Sequence, residues 1–353
     1  MAPIFKQLGV STEYSLEKHK ALAGQEWRAN QMHEITDNMI AYVGAKPWHG
    51  LGVNVPAGST GEEMRKLAGL DWRVEMRDLS MQGNDGSMNI NSLKVFKAVT
   101  RSDNERVFQV ATDRYHPVQN EQIIDFFREY CEAGHADLET VGGLRGGAVV
   151  WALAKLKGAS VKLGGVDELK GYMLLATSHD STMQTVGRPT QVRVVCHNTL
   201  TQALSSGRSQ VGIRHTREWT PEVAQEAREV MGLAIEDTQK LNETAEILSK
   251  VAIDDAGWEK FMLGLLGEDN VKDSRGNPSR TVTSLSKARL TSPGSDLVTA
   301  NGTLWGAVNA VTYFSDYERG RTDDSRLATS WFGDGERLKR SAVNVALEMA
   351  GVN

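Results

Sequence analysis

The hydrophobic pattern of the chain changes its period at Trp219. Before this residue, short runs rich in β-branched residues alternate with turn residues, which is typical of antiparallel strands. After it, Thr220-Pro221-Glu222 places proline at the first helical position behind a hydroxyl cap, and a long apolar stripe at helical spacing follows. The stripe consists of Val223, Ala227, Val230, Ala234, Leu241, Ala245 and Leu248. We therefore predict an α+β protein, with an antiparallel sheet body and flanking helices followed by a helical C-terminal third.

Within the body, the first elements have a distinctive predicted order. A helix, three antiparallel strands and a second helix are predicted at Gly61–Leu70, Asp71–Leu79, Asn89–Thr100, Arg106–Thr112 and Glu121–Glu132. Further strands are predicted at Ala136–Val141, Ala148–Leu156, Lys170–Thr177 and Thr190–Cys196. The last two strands are apolar enough to be central in the sheet.

Composition excludes several classes of protein. The 353 residues are 40% apolar and 24% charged, which is close to the globular average and unlike a disordered chain. No apolar run approaches the roughly 20 residues that a membrane-spanning helix needs. Only two cysteines, Cys131 and Cys196, are present, so we expect no disulfide framework and a reducing, cytoplasmic compartment.

Charge is unevenly distributed, although the net charge is only −5. Residues 179–219 contain five arginines against two acids, and residues 221–270 contain twelve acids against four bases. Residues 271–292 contain five bases against one acid and are rich in Ser, Arg, Gly and Pro. That composition predicts a flexible basic loop inside the helical region. The basic middle and the acidic helices are expected to face different partners, or each other.

Basic residues interleaved with aromatic residues are the more promising functional signal. A protein that binds a single strand needs Lys and Arg along the phosphates and flat side chains against the bases. The candidate phosphate contacts are Arg73, Arg77, Lys94, Lys97, Arg193, Arg214 and Arg217, and the candidate stacking residues are Trp72 and Tyr115. A solvated sheet face is the ordinary explanation for one such strand. The basic middle and the basic loop make a nucleic-acid surface equally plausible.

A second constellation would suit an enzyme. His179, Asp180, His197 and His215, with Cys196 beside them, are residue types that bind zinc. However, neighbouring residues on a strand point to opposite faces, so at most one of each adjacent pair can face a common site. The sequence has no Cys-x-x-Cys and no His-Glu-x-x-His pattern. We therefore predict loop histidines, no metal and no cofactor, and we name no catalytic residue.

Three local patterns carry a family resemblance. They are Lys-Pro-Trp-His-Gly-Leu-Gly at residues 46–52, the arginine-containing strand at Thr190–Leu200, and Gly302–Tyr313. In this order they resemble the phage and plasmid family built around a domain of unknown function, from about Met32 to the C-terminus. The resemblance implies a phage, prophage or plasmid protein in the host bacterial cytoplasm, with no agreed reaction. It also implies a start near Met32, so residues 1–31 are expected to be an N-terminal extension, residues 32–219 the body and residues 220–353 the helical region.

The predicted helix, three strands and helix of residues 61–132 are similar to the core of single-strand annealing proteins. This topological resemblance implies a ring or filament that holds a single strand extended against a basic groove. Our leading hypothesis is a homo-oligomeric, non-membrane protein that binds single-stranded DNA in phage or plasmid replication and recombination. The alternatives are an enzyme acting on nucleotides or nucleic acid, and a non-enzymatic anti-defence or scaffold protein.

Overall fold

The computed structural model describes most of the chain from Met39 onward. The described residues are 39–44, 46–47, 51–82, 88–89, 95–193, 198–201, 211–232 and 234–352. Two predicted site residues, Lys94 and His197, lie outside these ranges. Antiparallel-rich sheets are followed by a helical C-terminal region, which confirms the predicted fold class. Within the described ranges, no helix is both long enough and apolar enough to cross a membrane.

The described strands lie in three sheets. They are β1 (Ile40–Val43), β2 (Val53–Val55), β3 (Val74–Asp78), β4 (Met81–Gln82), β5 (Met88–Asn89), β6 (Phe96–Arg101), β7 (Val107–Thr112), β8 (Ala136–Leu144), β9 (Val149–Leu163), β10 (Asp167–Ser178), β11 (Thr185–Arg193), β12 (Asn198–Thr201) and β13 (Val211–Ile213). The large sheet has the order β12-β11-β10-β9-β8-β1-β2, and β13 also pairs with β11. A three-stranded sheet has the order β3-β6-β7, and β4 pairs with β5.

Antiparallel hairpins from β8 to β11 form the centre of the large sheet. β10 is buried without interruption from Gly171 to Ser178, because packed layers lie on both of its faces. A strand covered on both faces has no need of polar and apolar alternation, which explains its continuous apolar run. The prediction of a central strand at Lys170–Thr177 is confirmed.

Short helices flank the three-stranded sheet, and longer helices make up the C-terminal region. They are α1 (Gly61–Leu67), α2 (Asn120–Asp125), α3 (Arg128–Glu132), α4 (Pro221–Gly232), α5 (Ala234–Lys250), α6 (Asp255–Leu266), α7 (Glu268–Val271), α8 (Arg280–Thr291), α9 (Leu304–Tyr313), α10 (Asp323–Phe332) and α11 (Asp334–Met349), with a π-helix at Phe314–Glu318. α1 begins with a capping box between Thr60 and Glu63, which satisfies backbone donors at the helix start. α1, the three-stranded sheet and α2 follow one another as predicted, but the additional pair β4 and β5 lies between β3 and β6.

The large sheet packs against helices on both faces. On one face, Met64 of α1 and Ala227 of α4 belong to the same core. On the other face, Trp151 of β9 packs edge-on against Trp331 of α10, with ring centroids 4.7 Å apart. Leu163, at the end of β9, joins a third core formed mainly by the C-terminal helices. The sheet body and the helical region therefore share buried surface.

The basic segment predicted as a flexible loop at residues 271–292 is a helix over most of its length. α8 begins after Ser279, whose hydroxyl accepts a hydrogen bond from the Val282 backbone N–H at 3.3 Å. Val282, Leu285 and Ala288 recur at three-residue spacing and are buried. The polar residues between them give the segment a loop-like composition, whereas the apolar spacing decides its structure.

Candidate functional site

Arg193, a predicted phosphate contact, lies in the interior at the end of β11. Its side chain is 3% exposed, and its Nε and Nη2 atoms donate to the Asp167 carboxylate over 2.7 to 2.9 Å. Thr299 and the Trp305 indole donate to the same carboxylate. A buried ion pair needs such additional hydrogen bonds to offset the loss of hydration. We therefore assign Arg193 to the core and not to the predicted surface.

The contacts of Asp167 account for two of the three sequence patterns. Arg193 belongs to the pattern at Thr190–Leu200, and Trp305 belongs to the pattern at Gly302–Tyr313. Both side chains meet on one carboxylate, so these patterns maintain a buried polar contact between β11 and α9. Asn309, in the same pattern, is buried and donates to the Trp305 carbonyl at 2.8 Å.

The two predicted stacking residues are also buried. Trp72 is 5% exposed and lies beneath Arg101, whose guanidinium carbon is 4.5 Å from the ring centroid. Tyr115 is 8% exposed, and its hydroxyl donates to the Ser178 carbonyl at 3.2 Å. Burial raises the pKa of the Tyr115 hydroxyl. We assign the Trp72 ring to the core, whereas the largely buried Tyr115 still lines the groove described below.

Arg73, Arg77 and Lys97 remain closer to the surface, but they do not form one patch. Arg73 is exposed and forms no ion pair within the described part of the chain. Arg77 is held between two glutamates, and Lys97 pairs with Asp78. Arg77 and Asp78 are successive residues of β3, and Asp78 is directly opposite Lys97 in the ladder. Arg77 and Lys97 therefore point to opposite faces of the three-stranded sheet.

The arginines of the basic middle do not converge either. Arg214 directly follows Ile213, which pairs with the first residue of β11, whereas Arg193 is the last residue of that strand. The two arginines thus lie at opposite ends of β11. Arg217 is exposed, and its guanidinium forms an ion pair with Glu226 at 2.8 Å. Of the three, Arg214 is the one that is exposed and has no ion pair with a described residue.

A groove of about 480 Å³ lies between β7 and the residues that follow β13. The ends of β6 and β7, the turn after β10 and the segment after β13 form its walls. Its polar lining includes Gln109, Thr112, Ser181, Gln184, Arg214 and Thr216. No aspartate or glutamate is found among the described residues that line it. The electrostatic environment of the groove therefore favours an anionic ligand.

Phe96 adds an accessible aromatic ring to this groove. The ring is 45% exposed and lines the groove together with Arg214. Val110, which is 56% exposed, lies opposite Ala98 in the ladder between β6 and β7. Because Ala98 is two residues from Phe96, Phe96 and Val110 share the outer face of the three-stranded sheet. An exposed ring and a guanidinium without an ion pair among the described residues line the same groove, and they provide the two kinds of contact that a single strand requires.

His179, the first residue of the predicted polar constellation, is fully buried. Its ring lies between Trp72 and Phe108, at centroid distances of 5.7 and 5.5 Å. Its Nε2 atom is 3.1 Å from the Asn120 side-chain oxygen. Burial lowers the pKa of His179 to about 3, so the imidazole is neutral. A neutral histidine enclosed by aromatic rings is not accessible to a substrate.

Asp180 and His215, from the same constellation, lie nearer the surface. The Asp180 carboxylate is 3.5 Å from the Arg145 guanidinium, and His215 lines the groove directly after Arg214. In the described ranges, no group of three His, Cys, Asp or Glu side chains could hold a metal ion. Of the predicted site residues that the structure describes, Tyr115, Arg214 and His215 line the groove.

The sequence patterns did not single out Phe96, Gln109 or Gln184. Burial along β6 does not alternate, because every residue from Ala98 to Arg101 is buried while Phe96 at the start of the strand is exposed, so the local pattern carries no signal for Phe96. The two glutamines carry no local signal. Their position beside Arg214 depends on how the turn after β10 packs against β7, which is a long-range contact.

A larger cleft, of about 880 Å³, lies beside α1, α2 and α3. Five carboxylates and two bases line it, namely Glu62, Asp125, Glu132, Asp137, Glu139, Arg128 and Lys155. Burial raises the pKa of Asp125 and that of the Cys131 thiol, which also lies in this cleft. The excess of negative charge disfavours an anionic ligand here.

Residues 107–331 match a family model that is described as Domain of unknown function (DUF932). The match covers more than half of the 353-residue chain. The chain belongs to the DUF932 family. No curated protein and no solved structure matches the chain.

The DUF932 match begins with the first residue of β7 and ends at Trp331 in α10. It includes the Asp167 cluster and the groove residues Gln109, Gln184 and Arg214. Phe96 precedes it, together with the other strands of the three-stranded sheet. The family model therefore spans most of the groove, while the accessible ring comes from outside the matched region.

Proposed function

We propose that this DUF932 protein binds single-stranded DNA in the groove beside β7. The observation that carries the proposal is the combination of three properties in one groove. The Phe96 ring is 45% exposed, Arg214 has no ion pair among the described residues, and no described carboxylate lines the walls. A single strand offers a flat base and a charged phosphate in every nucleotide, which these two side chains complement.

Neutral polar groups in the groove support the same ligand. Gln109, Gln184, Thr112 and Thr216 provide amide and hydroxyl groups along the walls. These groups can donate and accept hydrogen bonds, so they can bind base edges as well as sugar and phosphate oxygens. Together with stacking, such contacts tolerate any base, which suits binding without sequence preference.

The sequence resemblances support a biological setting for this binding. We propose that the protein acts in phage or plasmid replication or recombination, in the host bacterial cytoplasm. The three-stranded sheet of β3, β6 and β7 between α1 and α2 supports an annealing role within a ring or filament. A groove of about 480 Å³ contacts only a few nucleotides. Repeated copies along one strand would therefore raise the total affinity.

The test is the binding of the purified protein to a labelled single-stranded oligonucleotide and to a duplex of the same length. Each measurement is made at low and at moderate salt. We expect tighter binding to the single strand and a steep loss of affinity with salt, in proportion to the phosphates neutralised. Failure to bind the single strand at either salt concentration would refute the proposal.

Phe96→Ala distinguishes this groove from general charge attraction. Stacking on an aromatic side chain contributes about 1–3 kcal/mol per base, so the affinity should fall by about 5- to 150-fold. Leu290→Ala is the matched control, because it shortens an apolar side chain that is 57% exposed on α8. The control should bind as the wild type does. Wild-type affinity in Phe96→Ala would place the strand on another surface.

A further inference from the structure

We propose that strand binding in this groove is linked to the uptake of one proton by His215, so that affinity rises as the pH falls. The inference rests on the proposed function and adds a regulated contact to the same groove. His215 directly follows Arg214, and both residues line the groove. A positive charge on the imidazole would reinforce the attraction of Arg214 for a bound phosphate.

The hydrogen bonds of His215 are compatible with both protonation states. Its Nε2 atom lies 3.0 Å from the Thr177 hydroxyl oxygen and 3.4 Å from the Thr185 hydroxyl oxygen. A hydroxyl can donate to the neutral ring or accept from the protonated ring, because it carries one hydrogen and two lone pairs. The two hydroxyl oxygens are also 2.8 Å apart. A protonated Nε2 therefore has a hydroxyl oxygen within hydrogen-bond distance.

Two titratable neighbours of His215 keep a fixed charge near neutral pH. His179, on β10, is fully buried, and its pKa of about 3 keeps it neutral. Tyr115, on the segment before α2, packs against the His215 ring with centroids 5.0 Å apart. The raised pKa of Tyr115 keeps its hydroxyl protonated. Neither group therefore changes charge over the range in which a histidine of ordinary pKa titrates.

Three further ionisable groups lie near His215. Arg214 directly precedes it and lines the groove. The Asp180 carboxylate, beyond the end of β10, is 3.5 Å from the Arg145 guanidinium. The His116 backbone N–H donates to the His215 carbonyl at 2.6 Å. His116 is a second histidine in contact with this segment, so it is the residue that a control must replace.

The direction of the pH effect follows from burial. Loss of hydration lowers the pKa of His215, so the free protein holds a neutral ring at pH 7. A phosphate bound nearby stabilises the charged ring and raises the pKa of His215 in the complex. Proton binding and strand binding then strengthen each other by the same factor. The affinity should increase by about tenfold for each unit of difference between the two pKa values.

The experiment is a titration of labelled oligothymidylate with the full-length protein, between about pH 8 and about pH 5, at constant ionic strength. Thymine keeps one protonation state in this range, so the ligand contributes no titrating base. We expect a three- to tenfold gain in wild-type affinity with falling pH, with tenfold corresponding to about one pKa unit. His215→Gln should lose this gain, because its amide can still bond to Thr177 but cannot become charged. His116→Gln should keep the wild-type slope.

Two outcomes would overturn the proton linkage while leaving strand binding intact. One is pH-independent binding by the wild type, and the other is a wild-type slope in His215→Gln. Absence of binding at every pH would remove both the linkage and the proposed function. An NMR titration of the His215 ring, with and without oligothymidylate, needs no variant. Its pKa should be higher in the complex, and an unchanged pKa would also overturn the linkage.

Discussion

The groove beside β7 and the cleft beside α1 are both concave, but they suit ligands of opposite charge. The cleft has a volume of about 880 Å³ and is lined by five carboxylates and two bases. The groove has a volume of about 480 Å³ and is lined by Arg214, with no carboxylate among its described residues. Size alone would favour the cleft as a ligand site. Because phosphates are repelled by carboxylates, charge favours the groove for a polyanion.

The largest expected effect is on stability, and it compares a buried arginine with an exposed one. Arg193→Ala should leave the Asp167 carboxylate buried without its charged partner, at a cost of about 3–5 kcal/mol in the free energy of unfolding. Denaturant titration followed by circular dichroism measures this loss. Arg73→Ala, at an exposed arginine without a described ion pair, is the control and should retain wild-type stability. A stable Arg193→Ala protein with weakened DNA binding would break the comparison, because a buried arginine would then be acting at the surface.

Acid should affect the two regions in opposite directions. Beneath the groove, the pKa of His179 is lowered to about 3, so the unfolded chain binds the proton first as the pH falls. Stability should then fall by about 1.4 kcal/mol per pH unit below about pH 6.5. In the cleft, the pKa of Asp125 is raised, so the folded chain binds the proton first and stability rises as the pH falls through that pKa.

Unfolding measurements at about pH 6.5 and about pH 4.5 separate these two contributions. His179→Gln should remove about 2–3 kcal/mol of the acid-induced loss. Asp125→Asn should make the acid-induced loss larger, because it removes the opposing gain. If His179→Gln loses as much stability in acid as the wild type does, the His179 imidazole is not the cause of that loss.

Charge reversal gives a matched test of the two surfaces. Arg214→Glu places a carboxylate in the groove and should lower single-strand affinity by about thirtyfold, or about 2 kcal/mol, the range of a hydrogen bond to a charged group. Lys155→Glu makes the same change in the cleft and should have little effect. Fluorescence anisotropy at moderate salt measures both affinities. Equal losses in the two variants would mean that charge acts over the whole surface without a defined groove.

The smallest expected effect is on long-range repulsion from the cleft. Glu132→Gln and Asp137→Asn each remove one negative charge that lines the cleft. Either change should raise single-strand affinity by less than about threefold at low salt, and the gain should vanish once salt screens exposed charges. Association rates at two salt concentrations provide the measurement. A gain that persists at high salt would indicate direct contact between the strand and the cleft.

Local sequence pattern was sufficient for much of the fold. The order of β3, β6 and β7 follows from three β-rich runs separated by turn residues, and the helical C-terminal region follows from its apolar stripe. α8 was missed because Ser, Arg and Gly content outweighed the spacing of Val282, Leu285 and Ala288. The pattern change at residue 219 marks a change of secondary structure, and contacts such as Trp151 with Trp331 cross it.

The candidate site was less predictable, because exposure depends on contacts between distant residues. By charge alone, Arg193 and Arg214 are equivalent candidates for a phosphate contact. In the structure, however, Arg193 donates to the Asp167 carboxylate, 26 positions earlier in the sequence. Trp72 is a residue type that stacks on bases, but in the structure Arg101 and the neighbouring rings enclose it. The accessible ring is instead Phe96. Sequence identified residue types that suit nucleic acid, but only packing shows which of them a strand could reach.

The Asp167 contacts also determine which fragments of the chain can remain folded. A fragment that stops before residue 299 keeps Arg193 but loses the Thr299 hydroxyl and the Trp305 indole, which bind the same carboxylate. It also exposes Leu163 at the end of β9 to water. Such a fragment would be a substrate for chaperones and proteases. We therefore expect expression of the sheet alone to give little lasting protein, whereas the chain that includes α9 should persist.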